Sequence, residues 1–232
     1  MIILQATGQF YHEFHADAWI QQPWNTFSSL VFFVPVIYWL WQLRGQYRQY
    51  PVLVGILPLL FLNGLGSTLF HANSGGVVFV MLDVLPPLLM LITLTAYLWK
   101  LNLNSWLYGM LIVVLFLGVN ALNMYWHSRI ENVSRGVNVF YFINGLMVLT
   151  PMILSLQRHS WKGWNHIALA LIFISLALVF RSLDYPTPNP FPTLMPQGTH
   201  FLWHISSALA VFPLGRYLIL LQNIQHKKTG SC

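Results

Sequence analysis

Apolar residues in this chain come in long, nearly continuous runs, not in the one-sided stripes of a helix that packs against a soluble core. Seven runs stand out, over approximately residues 27–43, 52–71, 77–99, 106–126, 136–156, 164–183 and 199–221. Each is close to the ~20 residues that carry a helix across a bilayer. The breaks between them are short and polar. Arg44 and Arg48 close the first run, Gly75-Gly76 divide the second from the third, and Lys100 and Asn104 end the third. His127 to Arg135 separates the fourth from the fifth, which ends at Arg158-His159. The stretch from Asp184 to Pro192 cannot be helical, because each proline removes a donor and clashes with the preceding turn. Pro58, Pro86-Pro87 and Pro213 lie inside runs, and the helices are expected to continue through them because neighbours in a bundle satisfy the freed backbone groups. There is no soluble segment and no convincing internal repeat. The predicted architecture is an all-α integral membrane protein, a seven-transmembrane helix bundle forming a single domain over residues 1–232.

Composition sharpens this picture. Of 232 residues, 56% are hydrophobic and 7% charged, against about 25% charged in soluble domains, which excludes a water-soluble protein. The net charge of +6 arises in loops and the tail, so it reads as topology and not as nucleic-acid binding. With the N-terminus outside, the inner side holds Arg44, Arg48, Lys100, Arg158, Lys162, Arg216, Lys227 and Lys228, and the outer side Arg129, Arg135 and Arg181. The expected orientation is therefore N-terminus outside, C-terminus cytoplasmic. Trp39 and Trp41 fit an interfacial belt. Residues 1–10 carry no basic residue, which argues against a cleaved signal peptide. Asn132-Val133-Ser134 is a glycosylation sequon on the expected outer side. The single Cys232 allows no disulfide within the chain.

Carboxylates are scarce: Glu13, Asp17, Asp83, Glu131 and Asp184 are all there are. Asp83 falls within the third run, and a polar residue at that depth needs a reason. Ser67 and His71 are spaced i, i+4 near the end of the second run, as are His200 and His204 at the start of the seventh. That spacing puts each pair on one helix face. The topology, assigned without these residues, brings all five to the same outer leaflet. Three histidines and an aspartate at one depth outweigh the ordinary reading of a membrane histidine as a packing residue. Zinc suits them, because neutral imidazoles with an open fourth position are its preferred set and no thiolate is at hand. His71, His200 and His204 are expected to ligate zinc, with water in the fourth position. Asp83 is expected to act as general base and then acid, and Ser67 to bond the water or the developing oxyanion. For Ser67, a bond back to the carbonyl four residues earlier is equally compatible with the spacing.

This Ser-x-x-x-His, Asp and His-x-x-x-His pattern on seven helices resembles the superfamily of alkaline ceramidases, progestin and adiponectin receptors and Per1-like proteins. Pro23-Trp24-Asn25-Thr26-Phe27-Ser28-Ser29-Leu30, Gly64 to His71, Leu82 to Pro86 and His200 to Ala208 look most like the alkaline ceramidase branch. The resemblance implies a metal-dependent hydrolase: zinc-dependent cleavage of the amide of a ceramide-like lipid drawn from the membrane, giving a sphingoid base and a fatty acid. Two departures stand out. Gln22 occupies the place of a glutamate in the family's calcium site, which casts doubt on calcium here, and Val84 replaces a second acid after Asp83. Two other readings stay open: hydrolysis of an ester or another N-acyl lipid, and a receptor or structural protein whose metal braces helices 2, 3 and 7. A transporter fits poorly, because the polar residues gather at one face and not at the midplane of two repeats.

The segment Tyr11 to Asp17 reads as a solvated polar stretch at the outer surface, with a lid or a second metal site built on His12, Glu13, His15 and Asp17 as the alternative. Asp184 is expected to pair with Arg181 in a structural role. No function is assigned to His127, His159, His166 or His226.

Overall fold

The computed structural model describes residues 11–130, 133–184 and 187–230, and among these the regular elements are all helices. They are α1 (Pro23–Ser29), a 3-10 turn (Leu30–Phe32), α2 (Phe33–Gln42), α3 (Pro51–Asn73), α4 (Val77–Leu103), α5 (Trp106–Arg129), α6 (Val133–Arg158), α7 (Trp164–Ser182) and α8 (His200–Thr229). With α1, the turn and α2 taken as one span, seven helices are long and apolar enough to cross a membrane. Asn132 of the sequon, Glu131 and Cys232 lie outside the described residues.

Three details depart from the sequence reading. The first span is interrupted at Leu30–Phe32, where Pro35 withholds the N–H that the carbonyl of Val31 would otherwise receive. α8 continues past the apolar run to Thr229, because Gln222 to Lys228 are polar but helix-compatible; hydropathy marks a membrane crossing, not a helix end. Trp39 is fully buried while its neighbour Trp41 is exposed, so only Trp41 can serve an interfacial belt. The Trp39 indole lies against Gly215 of α8, where an added Cβ would fall 2.8 Å from Nε1. Pro58, Pro86, Pro87 and Pro213 do lie within helices.

Contacts divide the chain into two compact units. In the first, Met1–Pro87 with Asn165–Cys232, α1 and α2 pack against α3 and α8. Leu53, Leu57, Leu60, Tyr217, Leu218 and Leu221 form its apolar interior. In the second, Leu88–Trp164, α5 packs on α6. There Asn102 donates to the carbonyl of Pro151 at 2.8 Å and to Ser155 Oγ at 2.9 Å, and Asn120 donates to Asn144 at 3.2 Å. Such amide bonds between helices are the usual polar glue of membrane bundles. The candidate chemistry lies wholly within the first unit.

Candidate metal centre

His71 lies near the end of α3, and His200 and His204 occupy the first turns of α8. All three side chains are buried. Their potential ligand nitrogens lie within 4.8 Å of one another, and among the described residues no other set of three or more such groups comes so close. Ring centroids are 5.1 Å apart for His71–His200, 5.0 Å for His71–His204 and 4.6 Å for His200–His204.

The fit to a metal ion can be tested on the nitrogens themselves. Nε2 of His71 and Nδ1 of His200 are buried and have no hydrogen-bond partner, a state that costs ~1–3 kcal/mol per group when nothing compensates it. Two unmet nitrogens in one cluster of neutral imidazoles match a zinc-like donor set. A tetrahedral ion with metal–nitrogen bonds near 2.0–2.1 Å needs nitrogens roughly 3.4 Å apart, and nitrogens gathered within 4.8 Å of one another could hold one ion between them. The residues fit the ion.

α1 and Gln22, the residue just before it, supply the surrounding hydrogen bonds. Nδ1 of His71 meets Gln22 Oε1 at 2.7 Å, and Nδ1 of His204 meets Ser28 Oγ at 2.8 Å and Ser29 Oγ at 3.3 Å. Ser67 accepts from Ser29 Oγ at 3.1 Å and lies 3.5 Å from Nε2 of His204. The bond back to the carbonyl four residues earlier is made by its neighbour Thr68 (2.7 Å to Gly64), which leaves the Ser67 hydroxyl facing the cluster.

Asp83 joins the site through α4. The Ser67 hydroxyl sits against its side chain, and Asn63 Nδ2 donates to its backbone carbonyl at 2.9 Å and approaches Oδ1 at 3.5 Å. The close approach of α3 and α4 depends on Gly66: a Cβ there would strike the backbone of Leu82 and fall 2.6 Å from the Asp83 nitrogen. The structure thus brings Ser67, His71, Asp83, His200 and His204 together.

The N-terminal segment closes over this cluster. The Tyr11 ring lies 4.0 Å from that of His200 and 5.0 Å from that of His71, with the Arg181 guanidinium 5.3 Å above it. Glu13, expected to be solvated, is buried; its carboxylate accepts the N–H groups of Trp24 (2.8 Å) and Asn25 (2.9 Å) in the first turn of α1. Burial pushes this carboxyl above its ordinary range, and the two amide N–H bonds pull the other way without cancelling it. His12 is engaged with Thr187 and Asp184, whereas His15 and Asp17 are exposed. Asp184 itself is buried and accepts from the backbone N–H groups of His12 (3.0 Å), Thr199 (2.7 Å) and His200 (2.8 Å). A carboxylate at the positive end of α8 satisfies its open donors and fixes the turn that carries His200. Gly198 makes room: its φ is +81° and a Cβ would lie 2.9 Å from that of His12.

Sequence reasoning missed Gln22, Ser28, Ser29 and Asn63 as partners of the site. The available signal was a cluster of amides and hydroxyls at the mouth of an otherwise apolar helix. No protein-family model matches the chain, and a search of curated proteins finds no match.

Proposed function

We propose that this chain is an integral membrane hydrolase in which His71, His200 and His204 hold zinc, and that it cleaves the N-acyl bond of ceramide-like lipids to a sphingoid base and a fatty acid. The observation that carries the reading is the pair of buried, partnerless imidazole nitrogens within one three-histidine cluster, with Ser67 and Asp83 beside it. Zinc, when bound, supplies a Lewis acid and lowers the pKa of water toward ~7.

The chain's own groups account for the remaining needs of amide hydrolysis. Asp83 takes a proton from the attacking water as its oxygen bonds to the acyl carbon. Ser67 donates to the carbonyl oxygen as negative charge develops there. The C–N bond then breaks, and Asp83 returns the proton to the departing nitrogen, which restores the carboxylate. The choice of a ceramide-like substrate rests on the resemblance of the Trp24-Asn25-Thr26, Ser67/His71, Asp83 and His200/His204 motifs to those of alkaline ceramidases. A membrane location is supported by broad exposed apolar faces, such as Leu107, Leu111, Val114, Leu115 and Leu122 on α5, which suit a helix in contact with lipid. The distribution of basic residues supports an outside N-terminus, a cytoplasmic C-terminus and a site near the outer leaflet, where the substrate already resides.

The test is Asp83→Asn in the purified protein. The variant is expected to keep its fold and metal while hydrolysis falls by about 10²–10⁴-fold. Unchanged turnover would remove the assigned mechanism. Bound zinc with no lipid cleaved by either form would favour a metal that only braces the helices.

A further inference from the structure

Imidazole can offer a metal only one nitrogen at a time, and the partner of the other nitrogen decides which one. Two of the three histidines have that partner in one short stretch, Gln22 immediately before α1 and Ser28 within it. Gln22 is fully buried. Its Nε2 donates to Ser74 Oγ at 2.9 Å, and its Oε1 receives Asn25 Nδ2 at 3.0 Å. With the amide N–H committed to Ser74, the oxygen 2.7 Å from His71 Nδ1 can only accept. Nδ1 of His71 must therefore carry the hydrogen, and the unpartnered Nε2 presents a lone pair to the cluster.

Ser28 repeats this logic at His204. Its hydroxyl donates to the carbonyl of Asn25 at 3.1 Å, so the same oxygen, 2.8 Å from His204 Nδ1, acts as acceptor there. Nε2 of His204 is left to face the cluster, with only the long 3.5 Å approach of Ser67. Asn25 stands behind both partners: its side chain holds Gln22 and its carbonyl holds Ser28. The amide of Gln22 is neutral, so this orientation adds no negative charge beside the three imidazoles.

We infer that Gln22 and Ser28 are positioning residues of the metal centre, which fix His71 and His204 as Nδ1–H tautomers so that both offer Nε2 to one ion. This rests on the reading of the three histidines as a metal site. The segment that enters α1 then supports the centre through the Nδ1 atoms of two imidazoles.

The experiment measures zinc affinity of the full-length protein in detergent by competition with a chromophoric chelator. Circular dichroism and elution volume monitor the fold. Gln22→Leu and Ser28→Ala should each weaken zinc binding by about 10–100-fold, the usual loss when an outer-shell partner of a histidine ligand is removed. Ser28→Thr keeps an acceptor oxygen in place and should stay within about threefold of the parent, and Gln22→Glu, which keeps the acceptor and adds a charge that raises the basicity of His71, should bind zinc no more weakly than the parent. Equal affinity in the parent, Gln22→Leu and Ser28→Ala would overturn the positioning role and leave the metal centre standing. No zinc bound by the parent would overturn both. Should Gln22→Leu fail to fold, the double variant Ser28→Ala/Ser29→Ala decides, since it removes both hydroxyls near His204 Nδ1 and creates no large cavity.

Discussion

Gly66 of α3 meets the backbone of Asp83 in α4 so closely that a Cβ would sit 2.6 Å from the Asp83 nitrogen. The absence of a side chain at Gly66 therefore sets where the Asp83 carboxylate lies relative to Ser67, one residue along the same helix. Backbone cannot yield as a flexible side chain can, so Gly66→Ala is expected to force α3 and α4 apart. Overpacking of this kind costs ~1–3 kcal/mol, and separating Asp83 from Ser67 should lower turnover more than it lowers the unfolding temperature. Thermal unfolding and lipid hydrolysis of the same preparation check this. Full activity in a stable Gly66→Ala protein would mean that Asp83 need not be held at this distance.

Asp184 links the N-terminal segment to the first turn of α8 through three backbone N–H groups. A hydrogen bond to a charged acceptor is worth ~1.5–3 kcal/mol, and bonds that share one carboxylate do not add in full. Asp184→Ala should therefore destabilise the protein by about 2–4 kcal/mol and loosen His200, with weaker zinc binding as a second readout. A variant with unaltered unfolding and unaltered zinc affinity would show that other groups cap α8.

The Glu13 carboxyl, raised by burial, gives a pH dependence with a definite sign. The folded chain holds this proton more tightly than the unfolded chain does. Glu13 therefore makes the unfolding free energy fall as pH rises from about 4.3, the ordinary glutamate value, to its raised folded value, beyond which the contribution is level. Glu13→Gln removes the titration, so the variant should gain on the parent as pH rises through that window. Paired unfolding curves from pH 4 to 8 measure the difference. A variant that loses ground instead would mean that the N–H bonds from Trp24 and Asn25 outweigh burial.

Metal removal offers a test that is independent of any lipid. A ligand that binds only the folded state at a thousand times its Kd adds ~4.1 kcal/mol of stability. Chelation should thus lower the unfolding temperature of the parent protein, and zinc should restore it. His71→Ala should unfold at a lower temperature that responds to neither. A parent protein indifferent to chelator would count against any structural hold by the ion.

The helices were legible because each is a long, unbroken apolar run, the pattern that suits a bilayer-crossing helix and outweighs local propensity. Ser67, His71, Asp83, His200 and His204 were legible for the same reason: polar groups stand out in apolar runs. The outer shell was not. Gln22 and Ser28 lie in a segment rich in polar side chains, where nothing but the packing of α1 on α3 and α8 distinguishes a partner from a surface group. Trp39 was misread because hydropathy does not tell a core-facing position from a lipid-facing one two residues away. The carboxylate of Asp184 reaches backbone donors at positions 12, 199 and 200, a relationship that no local spacing encodes.

The central claim is amide cleavage by Asp83 beside a three-histidine zinc centre, and lipid mass spectrometry tests it most directly. Purified protein would be incubated with a mixed panel of N-acyl and O-acyl lipids, with Asp83→Asn as control. The expected result is fatty acid and free sphingoid base released from ceramide-like lipids by the parent alone. Release of neither product, from a preparation that holds one zinc per chain, would contradict the claim.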